Sequence, residues 1–449
     1  MTKLQHDTYL VVGLAKSGRA VARLLAVHGA NVVLFDDDTS RLSLDVPEYD
    51  GVREQMVVAP SADPSEWVGR VGCVVLSPGV PLDHPVVRAA RDARVEITGE
   101  LDVSYRFCSA DIVAVTGTNG KSTVVSLLGD IFEAAGRRVV VAGNIGTPLA
   151  AVVTDMEDIE IAVLEVSSFQ LDTIKDFKSH VAVLLNVTAD HLDRYDDSFD
   201  RYAASKSRIL MNSDRQTWFV YNFGDEVCRR IADGHQGNKM PFGGEVSGDG
   251  VYVQNGAITR RWNGRVETVI SISDFTPVGI HNLENAMAAV AAVAPFDVDA
   301  DSVRAALKAY RPLPHRMEIV RVSNGVTYIN DSKATNVDAA IKSIRSVDGK
   351  LILVAGGLGK GSDFGPIGDH MSHVKIVILI GDASDEIASV LDGKADVIRA
   401  SSMEDAVTQA RGTAKSGDTV LLAPACASFD MFRDYKDRGD AFRTAVEKL

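Results

Sequence analysis

The sequence repeats one pattern from end to end: a short apolar run ends in a glycine-rich turn and is followed by an amphipathic stretch. The pattern starts afresh three times, in the segments TYLVVGLAKSGRAVARLL, ADIVAVTGTNGKSTVVSLL and KLILVAGGLGKGSDF. Strands that alternate with helices favour parallel sheets covered by helices on both faces. Ligands bind such sheets where strands end and helices begin, so the three turns are the first candidate sites.

Two breaks divide the chain, whose 449 residues are too many for one ordinary core. One lies near residues 107–111, and the other is the proline-containing segment RPLPHRME. Residues 237–279 are rich in Gly and Asn with short alternating runs, which predicts a small antiparallel insertion. The predicted fold is therefore three-domain α/β. Its parts are a Rossmann-like domain at 1–108, a P-loop ATPase-like central domain at 109–312 and a Rossmann-like domain at 313–449.

Composition excludes several classes of protein. The net charge of −14 disfavours nucleic acid as a partner, because a nucleic-acid binder needs a basic surface. No apolar run reaches the length of about 18 residues that crosses a membrane. The four cysteines form no C-x-x-C pair, which disfavours a zinc ribbon or a redox pair and suits a reducing cytoplasm. We expect a cytoplasmic protein without nucleic-acid or membrane partners.

The second turn, VTGTNGKSTV, is the strongest motif. A common P-loop reads G-x-x-x-x-G-K-[ST], but Val115 stands where the first glycine belongs, and the glycine is Gly117. The strand–turn–helix context still aims N–H groups and a helix dipole at one point. Lys121 can reach the β and γ phosphates, and Ser122 can hold Mg²⁺. A phosphate loop with a compact first half is predicted; the alternative is a glycine turn with a surface lysine.

The first turn, from Gly13 to Gly18, lacks the middle glycine of the dinucleotide fingerprint, which disfavours NAD. An acidic run begins at Asp36, where a ribose-binding acid would stand, and SPGV at 77–80 can offer N–H groups to a phosphate. Two interpretations stay open for this region. One is a nucleotide-like ligand, and the other is a tight turn with a solvated acidic loop.

Candidate metal ligands follow the next strands. IAVLEVSSFQ ends a strand at Glu165, and VAVLLNVTADHLDRY carries Asp190, His191 and Asp193 past another strand end. Carboxylate and imidazole at neighbouring strand ends bind divalent metal. The alternative for His191 is a helix-cap role, although a nearby phosphate loop favours the metal because ATP requires Mg²⁺.

The third domain contributes INDSKATN and AGGLGKGSDF, each with a lysine at a strand end that can neutralise an anionic ligand. The alternative is a pair of exposed loop lysines. After the last strand, ACAS at 425–428 is predicted to begin a helix whose N-terminus faces a carboxylate.

Taken together, these residues resemble the Mur ligase family, the ATP-dependent amide ligases of bacterial cell-wall precursor assembly. GTNGKST matches the family's phosphate loop with its short spacing. EVSSFQ, NVTADHLDRY, the HN(x)₂N run at 281–285, LPHR and NDSKATN follow in the family order. SSFQLD, NDSKATN and PACASFDMF point to the D-glutamate-adding branch, and the D-N-P-R stretch of another branch is absent.

The resemblance implies a reaction and its partners. ATP phosphorylates the carboxylate of UDP-N-acetylmuramoyl-L-alanine, and the amine of D-glutamate attacks the acyl phosphate. The three domains would hold the UDP moiety, ATP with two Mg²⁺ ions, and D-glutamate respectively, in a monomer. Relatives place a Thr-Arg pair beside the uracil where this chain has Asp36 to Asp38, so the UDP contacts of that loop stay open.

The resemblance also implies site residues. The ATP contacts are Gly117, Thr118, Asn119, Gly120, Lys121, Ser122, Thr123, Asn282, Arg316 and Asp331. The catalytic residues are Lys121, His191 and Lys206, and the metal ligands are Ser122, Glu165, His191 and Lys206 as a carbamate. Asn144 matches a UDP-substrate contact of the family, and Ser17, Asp36, Ser77 and Gly79 are the contacts expected in the first domain. The D-glutamate contacts are Lys333, Thr335, Lys360, Ser428 and Phe429. Without the resemblance, Lys206 reads as a helix-surface lysine.

Three other functions are alternatives for this sequence. Folylpolyglutamate synthetase also adds glutamate, but it lacks a UDP domain, whereas this chain has a full first domain with its own Gly13 turn. An ATP-driven switch without ligation does not need the NDSKATN and ACASFD loops. An NAD-dependent dehydrogenase is disfavoured by the broken glycine fingerprint.

Overall fold

The structure is a computed structural model that describes residues 4–59, 65–144, 146–156, 158–244, 246–275, 279–359 and 361–449. The chain forms two compact units, one of residues 1–272 with 285–308 and one of residues 273–284 with 309–449. The first unit contains two sheets and the second contains one. The predicted three-domain α/β fold with mainly parallel sheets is confirmed.

The first sheet has five parallel strands in the order β3-β2-β1-β4-β5. Its strands are β1 Thr8–Val12, β2 Asn31–Phe35, β3 Met56–Val58, β4 Cys73–Leu76 and β5 Glu96–Gly99. Its helices are α1 Lys16–Val27, α2 Ser65–Val68, α3 Pro85–Asp92 and α4 Glu100–Tyr105. Alternate residues of β1 pack into different cores, Tyr9 and Val11 on one face and Leu10 and Val12 on the other. Burial on both faces explains why this strand reads as a continuous apolar run.

The central sheet has nine strands in the order β14-β13-β12-β11-β10-β9-β6-β8-β7. They are β6 Asp111–Thr116, β7 Val139–Gly143, β8 Ile161–Glu165, β9 Val181–Leu184, β10 Trp218–Asn222, β11 Asn238–Phe242, β12 Gly250–Gln254, β13 Ala257–Trp262 and β14 Arg265–Ser271. The helices that follow these strands are α5 Lys121–Ala134, α6 Leu149–Asp155, α7 Ser168–Leu171, α8 Phe199–Ser207, α9 Glu226–Gly234, α10 Ile280–Val293 and α11 Ala300–Ala309.

The predicted antiparallel insertion is present at the edge of this sheet, where β12, β13 and β14 form a meander. It starts later than predicted. Residues 238–242 form β11, which pairs in parallel with β10 and belongs to the main α/β pattern. The Gly- and Asn-rich composition placed the start of the insertion too early, because β11 is short and contains Pro241 and so does not resemble a strand of the main sheet.

The sheet of the second unit has the order β15-β16-β20-β17-β18-β19, and β15 alone is antiparallel to its neighbour among these described strands. The strands are β15 Glu318–Ser323, β16 Val326–Asn330, β17 Leu351–Gly356, β18 Val374–Ile380, β19 Val397–Arg399 and β20 Thr419–Leu422. The helices are α12 Val337–Arg345, α13 Ser384–Leu391, α14 Met403–Thr413 and α15 Tyr435–Glu447.

One helix prediction in this unit is wrong. The segment ACAS lies in the loop between β20 and α15, and the helix begins only at Tyr435, where Asp434 caps it. Residue Ala425 has φ +60°, a left-handed conformation that a helix does not contain. Among the described residues, no helix is long and apolar enough to cross a membrane.

Candidate nucleotide and ligand sites

The turn between β6 and α5 has the geometry of a phosphate loop. Gly117 has φ +150° and Gly120 has φ +89°, conformations that favour glycine. A Cβ at Gly120 would lie 2.3 Å from the Asn285 Oδ1 atom, and a Cβ at Gly117 would lie 2.9 Å from the Leu185 Cβ atom. Val115 is a fully buried residue inside β6, so the loop starts only after Thr116. The short spacing of the motif therefore results from a longer strand.

Lys121 begins α5 and folds back over this loop. Its Nζ atom donates to the Gly117 carbonyl at 2.8 Å and to the Thr118 carbonyl at 2.9 Å. The N-terminus of a helix attracts anions, because its first N–H groups have no partner within the helix. The amine and the helix N-terminus together can hold a polyphosphate.

The loop is braced by the segment after β9. Asn186 accepts from the Asn119 N–H through Oδ1 at 2.9 Å and donates from Nδ2 to the Asn119 carbonyl at 3.1 Å. The Thr118 hydroxyl donates to the Thr188 carbonyl at 3.0 Å and lies 3.1 Å from the Tyr202 hydroxyl. The NVTADHLDRY motif predicts metal ligands, but nothing in its sequence indicates that its first residues hold the phosphate loop.

Lys206 is buried, with 1% of its surface exposed, so its interpretation as a helix-surface lysine is wrong. Its Nζ atom donates to the Gly117 carbonyl at 2.8 Å, the same oxygen that Lys121 contacts, and lies 4.6 Å from the centroid of the Tyr202 ring. Burial first, and then the charge of Lys121, hold the pKa of Lys206 well below the usual value for lysine. The structure thus brings Lys206 to the phosphate loop as the family position implies.

Glu165 ends β8 beside the loop, in register with Val115 of β6. Its side chain is buried, and Oε1 accepts from the Asn144 Nδ2 atom at 3.2 Å. The other carboxylate oxygen, Oε2, is buried and has no hydrogen-bond partner among the described residues. A buried carboxylate oxygen without a donor fits a hard cation such as Mg²⁺. Asn144, expected at the UDP substrate, here holds this carboxylate.

His191 lies at the start of the 3₁₀ turn Leu192–Tyr195 in a left-handed conformation, with φ +52°. Its side chain makes no capping hydrogen bond to that turn in the part of the chain that the structure describes, so the helix-cap alternative is wrong. The imidazole is 42% exposed, contacts the Phe169 ring edge-on with centroids 5.2 Å apart, and has Nε2 3.8 Å from the Asp190 Oδ2 atom. It is accessible for a ligand.

The first-domain turn is held by its own side chains. The Ser77 hydroxyl donates to the Gly13 carbonyl at 2.6 Å. The buried carboxylate of Asp36 accepts from the Leu14 N–H at 2.5 Å and from the Asp38 N–H at 2.9 Å. Through these contacts, Ser77 and Asp36 stabilise a tight turn. Ser17 lies in the first turn of α1, and Gly79 lies in the turn closed by the Val80 N–H on the Ser77 carbonyl at 3.0 Å.

In the second unit, Asp331 follows β16 and is buried. It accepts from the Met317 N–H at 3.2 Å and from the Ser343 hydroxyl. Burial raises the pKa of Asp331, while Ser343 and the charge of Arg316 oppose that shift. The same charge of Arg316 helps to lower the pKa of His281 to about 4, after the larger effects of burial and Lys342. Arg316 and Asp331 are therefore neighbours, and Asn282 lies in the first turn of α10 beside His281.

The loops after β16 and β20 lie next to each other. A D-glutamate site formed by residues of both loops requires this proximity. The Ala425 N–H donates to the Ala334 carbonyl at 2.9 Å, which joins the loop of Lys333 and Thr335 to the loop of Ser428 and Phe429. The Lys333 amine lies over the Tyr435 ring, 4.2 Å from its centroid. Ser428 is buried and Phe429 is 64% exposed. Lys360, also predicted here, lies outside the described residues.

Comparisons with known proteins cover the whole chain. Residues 7–99 match the Mur ligase MurD-like N-terminal domain, 115–293 the Mur ligase middle domain, and 315–426 the Mur ligase glutamate ligase domain. Two relatives bear the name UDP-N-acetylmuramoylalanine–D-glutamate ligase. The protein from Geobacter metallireducens is 41% identical over 450 residues, covering 100% of this chain and 98% of that one. The protein from Thermoanaerobacter sp. strain X514 is 38% identical over 461 residues, covering 100% of this chain and 99% of that one.

Solved structures are similar in fold. The MurF ligase from Thermotoga maritima in complex with ADP superposes with a TM-score of 0.63 over 98% of this chain and 95% of that chain. The sequence identity is 18%, which supports the shared fold alone.

Proposed function

This chain belongs to the Mur ligase family, and we propose that it uses ATP to join D-glutamate to UDP-N-acetylmuramoyl-L-alanine in cell-wall precursor synthesis. Full-length relatives near 40% identity carry the name of that ligase. The single observation that carries the proposal is the phosphate loop, whose glycine conformations and Lys121 fit a nucleotide polyphosphate beside the buried Glu165. The reaction consumes ATP, which suits a cytoplasmic protein.

The chemistry proceeds in two transfers. A carboxylate oxygen of UDP-N-acetylmuramoyl-L-alanine attacks the γ-phosphorus of ATP, the bond to the bridging oxygen breaks, and ADP leaves. The amine of D-glutamate then attacks the acyl carbon, phosphate leaves with the bonding electron pair, and the nitrogen loses a proton. Phosphorylation is needed because a free carboxylate is a poor electrophile.

The residues of this chain supply position and charge. N–H groups of the loop and the N-terminus of α5 hold the phosphates. Lys121, which donates to two loop carbonyls, exchanges these acceptors for phosphate oxygens when the nucleotide binds. Preorganised cations stabilise the charge that develops in phosphoryl transfer, and the loss of one such donor costs about 10²–10³ in rate.

Metal ligands are proposed at the same loop. Ser122, Glu165, His191 and Lys206 would hold two Mg²⁺ ions, which neutralise phosphate charge when bound. The partnerless Oε2 atom of Glu165 supports this assignment. Lys206 would serve as a carbamate, because its lowered pKa makes the neutral amine available to CO₂, and a carbamate supplies oxygen donors.

The remaining assignments follow the domains. The first domain, 1–108, holds the UDP moiety through Ser17, Asp36, Ser77 and Gly79, with Asn144 contributed by the central domain at 109–312. Asn282, Arg316 and Asp331 contact the nucleotide. Lys333, Thr335, Lys360, Ser428 and Phe429 hold D-glutamate in 313–449. The match of 7–99 to a MurD-like N-terminal domain disfavours the folylpolyglutamate synthetase alternative.

One assay tests the proposal. Phosphate release from ATP is measured with UDP-N-acetylmuramoyl-L-alanine and with D-glutamate, L-glutamate or no amino acid. We expect sustained release only with D-glutamate, since the enantiomers share every group and only a rigid multi-point pocket separates them. Release that does not depend on UDP-N-acetylmuramoyl-L-alanine would indicate an ATP-driven switch, and equal use of L-glutamate would refute the assigned acceptor.

A further inference from the structure

Three loops of the second unit leave the sheet at adjacent strand ends. The sheet order places β16, β20 and β17 side by side and parallel, so the loops that follow them start at one edge. These loops are residues 331–336 after β16, 423–429 after β20 and 357–359 after β17. Two of them are joined by N–H to carbonyl bonds in both directions between Leu358 and Ala427, at 3.0 and 3.1 Å.

Beneath these loops lies Arg438, a residue of α15 that is 1% exposed. Its Nε atom donates to the Ser332 hydroxyl at 3.0 Å, and Nη2 donates to the Ser332 carbonyl at 2.9 Å. The Nη atoms of the guanidinium also contact the loop after β20. Both Nη atoms donate to the Cys426 carbonyl at 3.1 Å, and Nη1 also donates to the Ala427 carbonyl at 3.1 Å. One side chain thus ties two loops together through five hydrogen bonds.

The acceptors make this arrangement unusual. All five bonds end on carbonyl or hydroxyl oxygens, and no carboxylate accepts from Arg438 in the part of the chain that the structure describes. Burial of a cation costs free energy. If this position only filled space, an apolar side chain there would make the protein more stable. A planar fork of five donors, in contrast, fixes the relative position of several carbonyls.

The loops that Arg438 holds have conformations that need support. Ala425 has φ +60°, and Gly357 has φ +132°. A Cβ at Gly357 would lie 2.3 Å from the Ala427 carbonyl oxygen and 3.1 Å from the Arg438 Nη1 atom, so the third loop also packs directly on this cluster. The first turn of α15 adds a second tie, because the Ser332 hydroxyl donates to the Tyr435 carbonyl at 2.7 Å.

We propose that Arg438 is a positioning residue for the acceptor amino acid, holding the loops of residues 331–336 and 423–429 in the register that binds its carboxylates. This inference rests on the proposed function, which assigns Lys333, Thr335 and Ser428 of these loops to the acceptor. Arg438 acts through the loops and does not itself touch the substrate. Its role is to set the distance between the two groups of contacts.

The test compares Arg438→Lys and Arg438→Met with Arg433→Met in the full-length protein. Lysine keeps the charge but has one nitrogen, so it cannot span both loops. Arg433 is the matched control, since its guanidinium is 86% exposed and pairs with Asp437 of the same helix. We expect Arg438→Lys to raise KM for D-glutamate about tenfold or more, with KM for the UDP substrate within about twofold of wild type. Arg433→Met should match wild type.

Hydrogen exchange without ligands provides the second measurement. Both Arg438 variants should exchange faster in residues 331–336 and 423–429, while β16, β17 and β20 keep their protection. Unchanged exchange in the loops, or an unchanged KM for D-glutamate in a folded Arg438→Lys protein, would overturn the inference. Faster exchange throughout the unit would also overturn it, since that indicates a general loss of stability. A wild type that ignores D-glutamate would refute the proposed function instead, and the exchange result would still decide whether Arg438 orders the loops.

Discussion

At the scale of single residues, two lysines share the Gly117 carbonyl oxygen. Lys121 and Lys206 each donate to it at 2.8 Å, so their ammonium groups repel each other. Lys206 is the more deeply buried of the two, and its burial together with the charge of Lys121 lowers its pKa well below the usual value for lysine. These contacts support the proposed roles, in which Lys121 is the cation for phosphate and Lys206 provides a neutral amine.

Replacing Lys121 by Met should reduce turnover at saturating ATP by at least about 10²–10³-fold, because methionine lacks the amine that contacts both the Gly117 and the Thr118 carbonyl of the phosphate loop. Phosphate release measures the effect, and circular dichroism verifies that the fold is retained. Near-normal turnover would remove the phosphate-loop assignment.

Replacing Lys206 by Ala should abolish most activity, and acetate should restore part of it, since a small carboxylate fits the vacated space and supplies the oxygens of the proposed carbamate. Phosphate release is measured against acetate concentration. The control is Lys239→Ala, which removes an exposed lysine of β11. Full activity of Lys206→Ala without acetate, or equal stimulation of the wild type, would contradict the carbamate proposal.

At the scale of single elements, the two ends of α5 offer a matched pair of glycines. Gly120 and Gly136 have φ +89° and +71°, so alanine at either costs about 1–2 kcal/mol of backbone strain. A Cβ at Gly120 meets Asn285 at 2.3 Å, whereas a Cβ at Gly136 meets nothing within 4 Å. We expect Gly120→Ala to weaken ADP binding at least about tenfold and Gly136→Ala to leave it unchanged, as calorimetry can measure. Equal effects would show that strain in the helix, rather than the shape of the loop, controls affinity.

The contact between α4 and α7 predicts a pH dependence. Glu100 is buried and accepts from the Gln170 Nε2 atom at 2.9 Å, and burial raises its pKa to about 7 from an unfolded value of about 4.3. The folded state keeps the proton that the unfolded state releases. The stabilising effect is therefore complete below about pH 4.3 and is lost as the pH rises to about 7, which lowers the free energy of unfolding by about 4 kcal/mol.

Glu100→Gln removes this titration and keeps an acceptor for Gln170. The variant should exceed the wild type in stability by more at pH 8 than at pH 5. Tryptophan fluorescence during denaturation reports on the first unit, because Trp67, Trp218 and Trp262 all lie in it. A difference between variant and wild type that is the same at both pH values would show that Glu100 does not carry the shift.

Local sequence patterns predicted the helices and strands well, but they did not predict the long-range contacts. The strand end at Glu165 and the helix from Lys121 follow from apolar runs and glycine turns. Local patterns could not predict the burial of Lys206 and Arg438, because both lie in helical segments dense with polar residues, and only the family resemblance placed Lys206 at the site. Lys206 donates to Gly117, 89 residues away, and Arg438 joins Ser332, 106 residues away, to the Cys426 and Ala427 carbonyls of a nearer loop. Periodicity indicates which residues share a face of a helix, but not what a distant loop brings to that face.

At the scale of the whole molecule, the second unit contains a complete core of its own. Both hydrophobic clusters of its sheet consist of residues between Met317 and Leu449, and all six described strands lie in the same range. We expect residues 309–449 to fold when expressed alone, since a segment of this length with its own core is a typical domain. Circular dichroism and cooperative urea unfolding measure this outcome. A non-cooperative transition would show that the unit needs the rest of the chain.

The contact of Asn285 with Gly120 has a consequence for the protein during its synthesis. Asn285 belongs to α10 and leaves the ribosome long after the loop against which it packs. At roughly 5–20 residues per second, the delay is on the order of ten seconds. During that interval the nascent chain already contains the β6–α5 turn but lacks the side chain that packs against its last glycine. The loop proposed to bind ATP is therefore completed only late in translation, when most of the polypeptide has been made.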